Sequence, residues 1–532
     1  MNKTIWFYLI AVAVGWVFYY IIPKKFRWID LLLVSVLFYA IISKLLIIYL
    51  LLTIFSVYGG ALLISKNNKM LGNKILPVEN ETEEQKALRK EQEKKRKAKI
   101  KKKNKLIITL IIVFNLAIIA VLKYCNFFGG TLNGVIKLFK GSYRIKTFKI
   151  LLPLGISFYT LSAIGYVVDV YRAKYFAEKN FAKVTLFLIF VPQIIQGPVA
   201  RYEQTADNIF SGHDFDFKKI AFGFQRIFWG LFKKMVIADR LALLVTKVAN
   251  TPTDFSGIAS LMFMICYTIQ LYCDFSGFID IAIGCGELFG IDLPENFRQP
   301  FFSKSAQEFW RRWHITLGAW LKEYVFYSVA LSPSVTRLAN SIKKRHKNYF
   351  TKMIPTYIAI FFVWVCNGLW HGPEWKYFAY GMYYFVLIFL GMITEPLFKN
   401  LWTKLKVNPD SKFLNVLRHI RTLIIIVLGE TIFGANTLSD GFYILGSIFR
   451  KYHGSIFELG LDYKELLVAF IACLVVLSTS IAKEKGINVR EKVATLVLPV
   501  RWAIYLALIL AVVIFGAYGG MYATTPFIYG GF

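Results

Sequence analysis

Apolar stretches long enough to cross a lipid bilayer recur along the whole 532-residue chain, with short polar segments between them. A helix needs about 20 apolar residues to cross roughly 30 Å of hydrocarbon, and it satisfies its backbone hydrogen bonds internally. The lengths of these stretches predict an all-α polytopic membrane protein with about 11 to 14 transmembrane and re-entrant helices. The composition agrees, because 56% of the residues are hydrophobic and only 18% are charged, which excludes a soluble multidomain protein.

One apolar stretch departs from this pattern. Residues 277–290 contain Asp280 and four glycines, and a carboxylate that faces lipid is energetically costly. We therefore predict a membrane span over 257–272, followed by a separate segment over 277–290 that is buried in protein or re-entrant.

The basic residues lie between the apolar stretches. The chain has 64 Lys and Arg against 32 Asp and Glu, a formal net charge of +32. In this position they orient the spans and attract anionic lipid headgroups, and we do not expect nucleic-acid binding. The longest hydrophilic stretch, 81–105, ends in a run of Lys and Arg and is predicted to be a basic cytoplasmic loop. With three spans before it, the amino terminus is expected outside.

The histidines and cysteines narrow the possible chemistry. The six cysteines show neither a Cys-x-x-Cys pair nor a His-rich spacing, so we predict no disulfide framework and no metal site. Two histidines, His314 and His371, have aromatic and apolar neighbours in which an imidazole must be partnered or functional. The other four have polar or charged neighbours and are interpreted as exposed or interfacial: His213, His346, His419 and His453.

His371 follows an almost wholly apolar run, 361–370, and precedes Gly372-Pro373. A Gly-Pro step breaks a helix and leaves backbone groups unsatisfied at membrane depth, which is tolerated only beside a protein-lined or wet cavity. We therefore expect the imidazole to face an internal pocket. From these residues alone, a general base and a core histidine hydrogen-bonded between helices are equally supported.

His314 lies in a polar and aromatic segment, 308–320. At helical spacing Trp310, Trp313 and Leu317 share one face, which predicts an amphipathic or re-entrant helix with Arg311 one turn before His314 and a Glu308–Arg312 ion pair. An interfacial helix anchored by Trp and Arg is an equally supported alternative.

Two carboxylates, Asp274 and Asp280, lie just upstream in an apolar region. A carboxylate within the membrane indicates a functional site by default, and pairing with Arg311 or another cation is the structural alternative.

Four stretches together resemble the membrane-bound O-acyltransferase family, and the branch that contains the alginate O-acetyltransferase membrane subunit is the most similar. They are 273–284, 294–297, 308–317 and the Trp-His-Gly of 370–372. Shorter matching stretches occur at 122–128, 152–160, 192–202 and 526–529. The chain departs from the branch at 323–333, where the Asp-Tyr-Leu-Tyr-Ile-Pro-Leu-Gly-Gly stretch of the branch is absent, and in the length of 81–105.

The resemblance implies a ring of tilted helices around a central tunnel, with the acyl donor entering from the cytoplasm and the acceptor from outside. It implies that His371 is the catalytic base and that His314 is a second catalytic residue. Further candidates for binding donor or acceptor are Asn367, Trp370, Arg311, Trp313, Asp274, Ser276 and Asn296. The expected segments are amino-terminal helices (1–80), the basic loop (81–105), the catalytic core (106–435) and carboxyl-terminal helices (436–532).

The function implied is O-acetylation of an exported or cell-surface polysaccharide from a bacterial cell membrane. The donor is expected to be acetyl-CoA or another acyl thioester, without a bound cofactor, and an extracytoplasmic acetyltransferase is the expected partner. D-alanyl transfer of the teichoic-acid type, a transporter without bond chemistry and a non-catalytic scaffold for polysaccharide export remain alternatives. The absence of internal repeats weighs against the transporter.

Overall fold

The computed structural model describes residues 3–72, 81–139, 143–148 and 150–518. These residues form α-helices joined by short turns and π-helical segments, with an isolated β-bridge between Phe297 and Trp313 and no β-strand. The 526–529 match lies outside the described residues. The helices are α1 (Lys3–Ile21), α2 (Arg27–Ser43), α3 (Ile47–Gly72), α4 (Glu83–Ile119), α5 (Cys125–Leu138), α6 (Ile156–Tyr171), α7 (Phe181–Ile189), α8 (Val191–Ile194), α9 (Tyr202–Phe210), α10 (Phe217–Leu231), α11 (Asp239–Asn250), α12 (Ile258–Leu288), α13 (Ala306–Arg312), α14 (Ile315–Leu321), α15 (Tyr327–Ala330), α16 (Pro333–Arg345), α17 (Tyr349–His371), α18 (Trp375–Lys404), α19 (Lys412–Gly434), α20 (Leu438–Ser447), α21 (Tyr463–Glu484), α22 (Val489–Ala494) and α23 (Leu498–Phe515).

The described residues divide into two compact units. The carboxyl-terminal unit contains the described chain from Phe215 onward, together with Gln196–Pro198 and the start of α1 through Leu9. The amino-terminal unit contains the described residues of Ile10–Ile195 and Val199–Asp214. Both predicted catalytic histidines belong to the carboxyl-terminal unit.

Eight helical stretches within the described part of the chain are long and apolar enough to cross a membrane. They are Thr4–Ile21, Lys24–Gly72, Glu83–Leu138, Ile258–Leu288, Tyr349–His371, Trp375–Lys404, Tyr463–Glu484 and Leu498–Phe515. This number is below the predicted 11 to 14, because apolar stretches that were counted separately join into one helix or break into short ones.

Residues 277–290 are one example of predicted stretches that join into a single helix. They continue the predicted span of 257–272 as the single helix α12, so the expectation of two separate segments is wrong. The expectation of burial is confirmed, because every residue from Cys273 to Leu288 is buried. Asp280 does not interrupt the helix, since Lys233 and Arg226 pair with its carboxylate at 2.6 and 3.0 Å.

The segment predicted as a basic loop is also helical. Helix α4 begins after Thr82, whose side chain caps the backbone of Gln85, and it runs without a break into the apolar residues that follow. Glu, Lys, Arg and Gln are good helix formers, and acid–base pairs four residues apart add support. One such pair joins Glu91 and Lys95 at 2.7 Å.

Within the amino-terminal unit, polar side chains join α3 to α4. The Asn67 amide donates to Asn104 at 2.7 Å, and Asn104 donates to Asn68 at 2.8 Å. Further along the same helices Asn115 donates to Ser56 at 3.0 Å. These bonds satisfy polar groups at a helix contact that is otherwise apolar.

Two pairs of glycines bring α10 and α12 into backbone contact. A Cβ at Gly230 would lie 2.4 Å from the carbonyl oxygen of Gly277, and a Cβ at Gly284 would lie 2.7 Å from that of Gly223. Only glycine permits so close an approach, which is typical of helices packed in membranes. The contact sets the basic residues of α10 against the carboxylates of α12.

Helices α17 and α18 meet in the same way. A Cβ at Gly381 would lie 2.5 Å from the Trp364 carbonyl oxygen, and a Cβ at Gly368 would lie 2.7 Å from that of Tyr377. The Gly368 part of this contact lies within one turn of His371, the last residue of α17. The position of that histidine therefore depends on it.

We predict that Gly381→Ala destabilises the protein by about 1–3 kcal/mol, because the added methyl group meets backbone that cannot move aside. Gly391 is the matched control on the same helix, since a Cβ there meets nothing within 4 Å. Melting temperatures of the purified proteins in detergent check this, and equal stability of the two variants would contradict the tight contact.

Candidate active site

His371 is 2% exposed and ends α17. The chain turns through Gly372-Pro373 into α18, which begins at Trp375, so the helix end predicted from the Gly-Pro step is confirmed. Gly372 is required at the turn, because a Cβ there would lie 2.4 Å from the Tyr377 ring.

Aromatic rings surround the His371 imidazole. Phe433 of α19 and Tyr380 of α18 stand nearly perpendicular to it, with ring centroids at 5.0 and 5.9 Å. The Trp370 ring lies at 5.0 Å. These rings fix the orientation of the imidazole and shield its faces from bulk water.

The Trp370 indole lies beside both predicted catalytic histidines. Its centroid is 5.0 Å from that of His371 and 5.5 Å from that of His314. On another side of His314, Phe275 of α12 packs at 4.7 Å. The structure thus brings together two histidines that are far apart in the sequence.

The expectation of one helix through His314 is wrong. Helix α13 ends at Arg312, α14 begins at Ile315, and His314 between them has a left-handed backbone with φ of 47°. The β-bridge between Phe297 and Trp313 draws the chain out of helical geometry. A left-handed conformation is costly for a residue with a side chain and persists only where its surroundings hold it.

Asn296 holds His314 and determines its tautomer. Its Oδ1 accepts hydrogen bonds from the Thr316 backbone N–H at 3.0 Å and the Thr316 hydroxyl at 2.9 Å, which identifies it as the amide oxygen. His314 Nδ1 lies 3.2 Å from the same oxygen. An amide oxygen only accepts, so Nδ1 carries the proton and Nε2 has the lone pair of the neutral ring.

Burial also keeps His314 uncharged. The residue lies outside the eight candidate spans and is 1% exposed. This burial lowers the pKa of His314 to about 3, because a charged imidazolium loses its hydration there. His314 is therefore a neutral hydrogen-bond acceptor at physiological pH.

Glu430 of α19 is a carboxyl group close to His371 that the sequence-based assignment of the site missed. Tyr380 donates its hydroxyl to Glu430 Oε1 at 2.8 Å, and the Tyr380 ring contacts His371. Glu430 is 1% exposed. It is the one charged residue between Arg421 and Ala435, and this isolation in an apolar run is the signal that could have identified it.

The other predicted site residues near the two histidines differ in their burial and contacts. Asn367 is buried one turn before His371, and its Nδ2 has no hydrogen-bond partner among the described residues. Trp313 is buried against Phe309 and Phe297, at 5.4 and 5.0 Å. Arg311 is exposed, whereas the predicted ion pair of its neighbour Arg312 with Glu308 is present at 2.8 Å.

Asp274 and Ser276 are paired with lysines of the π-helical segment that follows α10. Lys234 forms ion pairs with Asp274 and with Asp239, and Lys233 donates to the Ser276 hydroxyl at 2.8 Å. These contacts match the structural alternative of pairing with a cation, although the cation is not Arg311. The lysines are buried within an apolar stretch, and the sequence-based assignment of the site did not include them.

Comparison with known proteins gives the family. A family model for membrane-bound O-acyltransferases matches residues 176–428. The probable alginate O-acetylase AlgI of Azotobacter vinelandii is 31% identical over 69% of this chain and 69% of its own length. The chain belongs to the membrane-bound O-acyltransferase family.

Other members of this membrane-bound O-acyltransferase family are similar over less of their length. The probable alginate O-acetylase AlgI of Pseudomonas aeruginosa is 32% identical, and the match covers 68% of this chain and 64% of the relative. The peptidoglycan O-acetyltransferase of Helicobacter pylori is 31% identical, over 50% of this chain and 52% of the relative. The predicted family is confirmed.

We predict that His314 makes the protein less stable in acid. A histidine in the unfolded chain has a pKa of about 6.5, whereas burial lowers the pKa of His314 in the folded protein to about 3. Between these two pH values the unfolded chain binds a proton that the folded chain does not. Stability therefore falls as the pH is lowered through this range.

When the pH is lowered from 7.5 to 4.5, the melting temperature of His314→Gln should decrease by less than that of wild type. His453→Gln, at an exposed histidine, is the matched control and should behave as wild type. Identical acid sensitivity of His314→Gln and wild type would show that His314 is not held neutral.

Proposed function

We propose that the protein transfers acetyl or another short acyl group from a cytoplasmic thioester donor to a hydroxyl group, for O-acetylation of an exported or cell-surface polysaccharide. The observation that supports the proposal is the buried His371 at a helix end, which shares the Trp370 ring as a neighbour with a second buried histidine. Family membership and relatives named for O-acetylation support it.

In this mechanism His371 is the general base. Its imidazole accepts the proton of the acceptor hydroxyl as the hydroxyl oxygen attacks the thioester carbonyl carbon. The carbonyl π bond opens to give a tetrahedral oxyanion, which then collapses and breaks the carbon–sulfur bond. The leaving thiolate takes the proton from the His371 imidazolium, so the base is restored and the products are an ester and a thiol.

Asn367 is the proposed donor to the oxyanion. It lies four residues before His371 on the same helix face, and its Nδ2–H has no other partner among the described residues. A buried N–H aimed at developing negative charge stabilises the transition state without reorganisation.

His314 is not suited to donating a hydrogen bond to the oxyanion. With Nδ1–H bound to Asn296 and the ring neutral, its remaining nitrogen accepts a hydrogen bond and does not donate one. We propose that it orients the acceptor hydroxyl or the donor. The exposed Arg311 has no part in this step.

The wider arrangement follows the family expectation. We propose that the helices surround a tunnel in which the donor arrives from the cytoplasm and the acceptor from outside, in a bacterial cell membrane with the amino terminus outside. An extracytoplasmic acetyltransferase would complete transfer to the polymer. The basic half of α4 would lie in the cytoplasm, as its charge indicates.

Polymer O-acetylation in cells tests the catalytic assignment. We predict that His371→Ala lowers it about 100-fold or more, since general-base catalysis contributes about that much, and that His314→Ala lowers it less. Membrane levels of each variant are compared by blotting, and Lys399→Ala, at an exposed residue of α18, is the control.

Normal acetylation in His371→Ala would refute the enzyme and favour a scaffold or transporter. Purified protein with labelled acetyl-CoA identifies the donor. Turnover of a D-alanyl thioester in place of acetyl-CoA would favour the teichoic-acid type of reaction.

A further inference from the structure

Asn296, the residue that holds His314, lies in a loop between α12 and α13. Residues 291–296 form neither helix nor strand, so no repeating backbone hydrogen bonds fix their positions. Yet Asn296 is fully buried, and its amide oxygen meets two donors of Thr316 and one of His314 at 2.9 to 3.2 Å. Contacts that depend on such short distances require neighbouring elements to hold the loop in place.

Helix α10 holds this loop at two points. The Lys219 ammonium donates to the Gly290 carbonyl oxygen at 2.7 Å and pairs with Asp292 at 2.9 Å. The Arg226 guanidinium donates from Nη1 and Nη2 to the two carboxylate oxygens of Glu295 at 2.8 and 2.6 Å. Lys219 and Arg226 are about two helical turns apart, so they share one face of α10. The loop is thus fastened to a helix that is itself in backbone contact with α12.

A second carboxylate fixes Arg226. Its Nε donates to Asp280 of α12 at 3.0 Å, and the side chains of Arg226 and Asp280 are 11% and 12% exposed. A planar guanidinium that binds carboxylates at two edges cannot rotate without losing a hydrogen bond, and a two-bond contact fixes direction as well as distance. Glu295 therefore takes its position from α10 and α12 together.

The contact of Glu295 contributes more to position than to stability. The Glu295 side chain is 59% exposed, and ion pairs open to solvent contribute little to folding. Asp280 also pairs with Lys233 at 2.6 Å, so it would keep a partner if Arg226 were replaced by lysine. Conservative changes at this contact should therefore leave the protein folded.

Glu295 is directly joined to the residue that holds His314. Asn296 follows it in the chain, accepts the Ile315 N–H on its carbonyl oxygen at 3.0 Å, and places its amide oxygen 3.2 Å from His314 Nδ1. A movement of Glu295 therefore also moves Asn296. When the amide oxygen withdraws, Nδ1 loses its acceptor, and the proton is free to occupy Nε2, the nitrogen that otherwise has the lone pair.

We propose that Arg226, acting through Glu295, is a positioning residue that fixes the tautomer and orientation of His314. Neither Arg226 nor Glu295 is among the site residues predicted from the sequence, and neither contacts His314 itself. The consequence for turnover rests on the proposed function. An imidazole that is protonated at Nε2 or turned away does not accept a hydrogen bond from the group that it orients, so kcat falls while the protein stays folded.

Nitrogen NMR of the full chain in nanodiscs, isotopically labelled at histidine, tests the positioning without a substrate. Wild type should show His314 protonated at Nδ1 and not at Nε2, a signal assigned by its loss in His314→Gln. In Glu295→Gln and Arg226→Lys, the form protonated at Nε2 should partly replace it. Glu395→Gln, which removes an exposed ion pair with Lys399, is the matched control and should leave the signal unchanged.

Turnover of acetyl-CoA with an alcohol acceptor shows whether the effect acts through His314. Glu295→Gln should lower kcat about ten-fold with little change in KM, since a small misplacement of a group in the site is costly. In a His314→Ala background the same substitution should have no further effect. Glu395→Gln should leave kcat unchanged in both backgrounds.

A wild-type His314 protonated at Nε2, or an unchanged signal in folded Glu295→Gln, would overturn the proposal. An equal loss of kcat from Glu295→Gln with and without the His314 side chain would also overturn it. Melting temperatures show that the variants fold, and Glu295→Gln alone decides if Arg226→Lys does not. Absence of acetyl transfer by wild type would refute the proposed function, while the NMR measurement would still test the positioning.

Discussion

The backbone contact between α17 and α18 at Gly368 and Gly381 is the constraint on which the site depends. A Cβ at either position would clash with a backbone carbonyl oxygen of the facing helix. With the helices in contact, the turn between them is short. Because Gly372 has no Cβ, the Tyr377 ring can pack against the turn. His371 is then held at the helix end, because both helices that bound the turn are fixed.

Polar groups in this unit fall into two kinds. Those between α10 and α12 are paired, as Asp280 is with Lys233 and Arg226. They join two helices and leave few groups available for a substrate. Around His371, in contrast, Asn367, Trp310 and Glu430 each present an atom without a partner among the described residues. Buried groups without partners beside the proposed base are available to bind a substrate, whereas the paired groups between α10 and α12 are not.

The sequence predicted the helical class, the family and the break after His371, because hydrophobic run length and a Gly-Pro step act locally. It did not predict that α12 is one helix, since the partners that tolerate Asp280 come from α10. It placed His314 within a helix, because the bridge from Phe297 that interrupts it is a tertiary contact. Glu430 was missed for the same reason, as its relation to His371 exists only through Tyr380.

We propose that His371 acts as a base and does not merely support the fold. Comparing an alcohol acceptor with hydroxylamine, a nucleophile that needs no deprotonation, tests this directly in purified protein supplied with labelled acetyl-CoA. We expect His371→Ala to lose about 100-fold or more of its transfer to the alcohol but to retain most of its transfer to hydroxylamine, each measured above the rate without protein. Equal losses with both acceptors would contradict the role of His371 as a base.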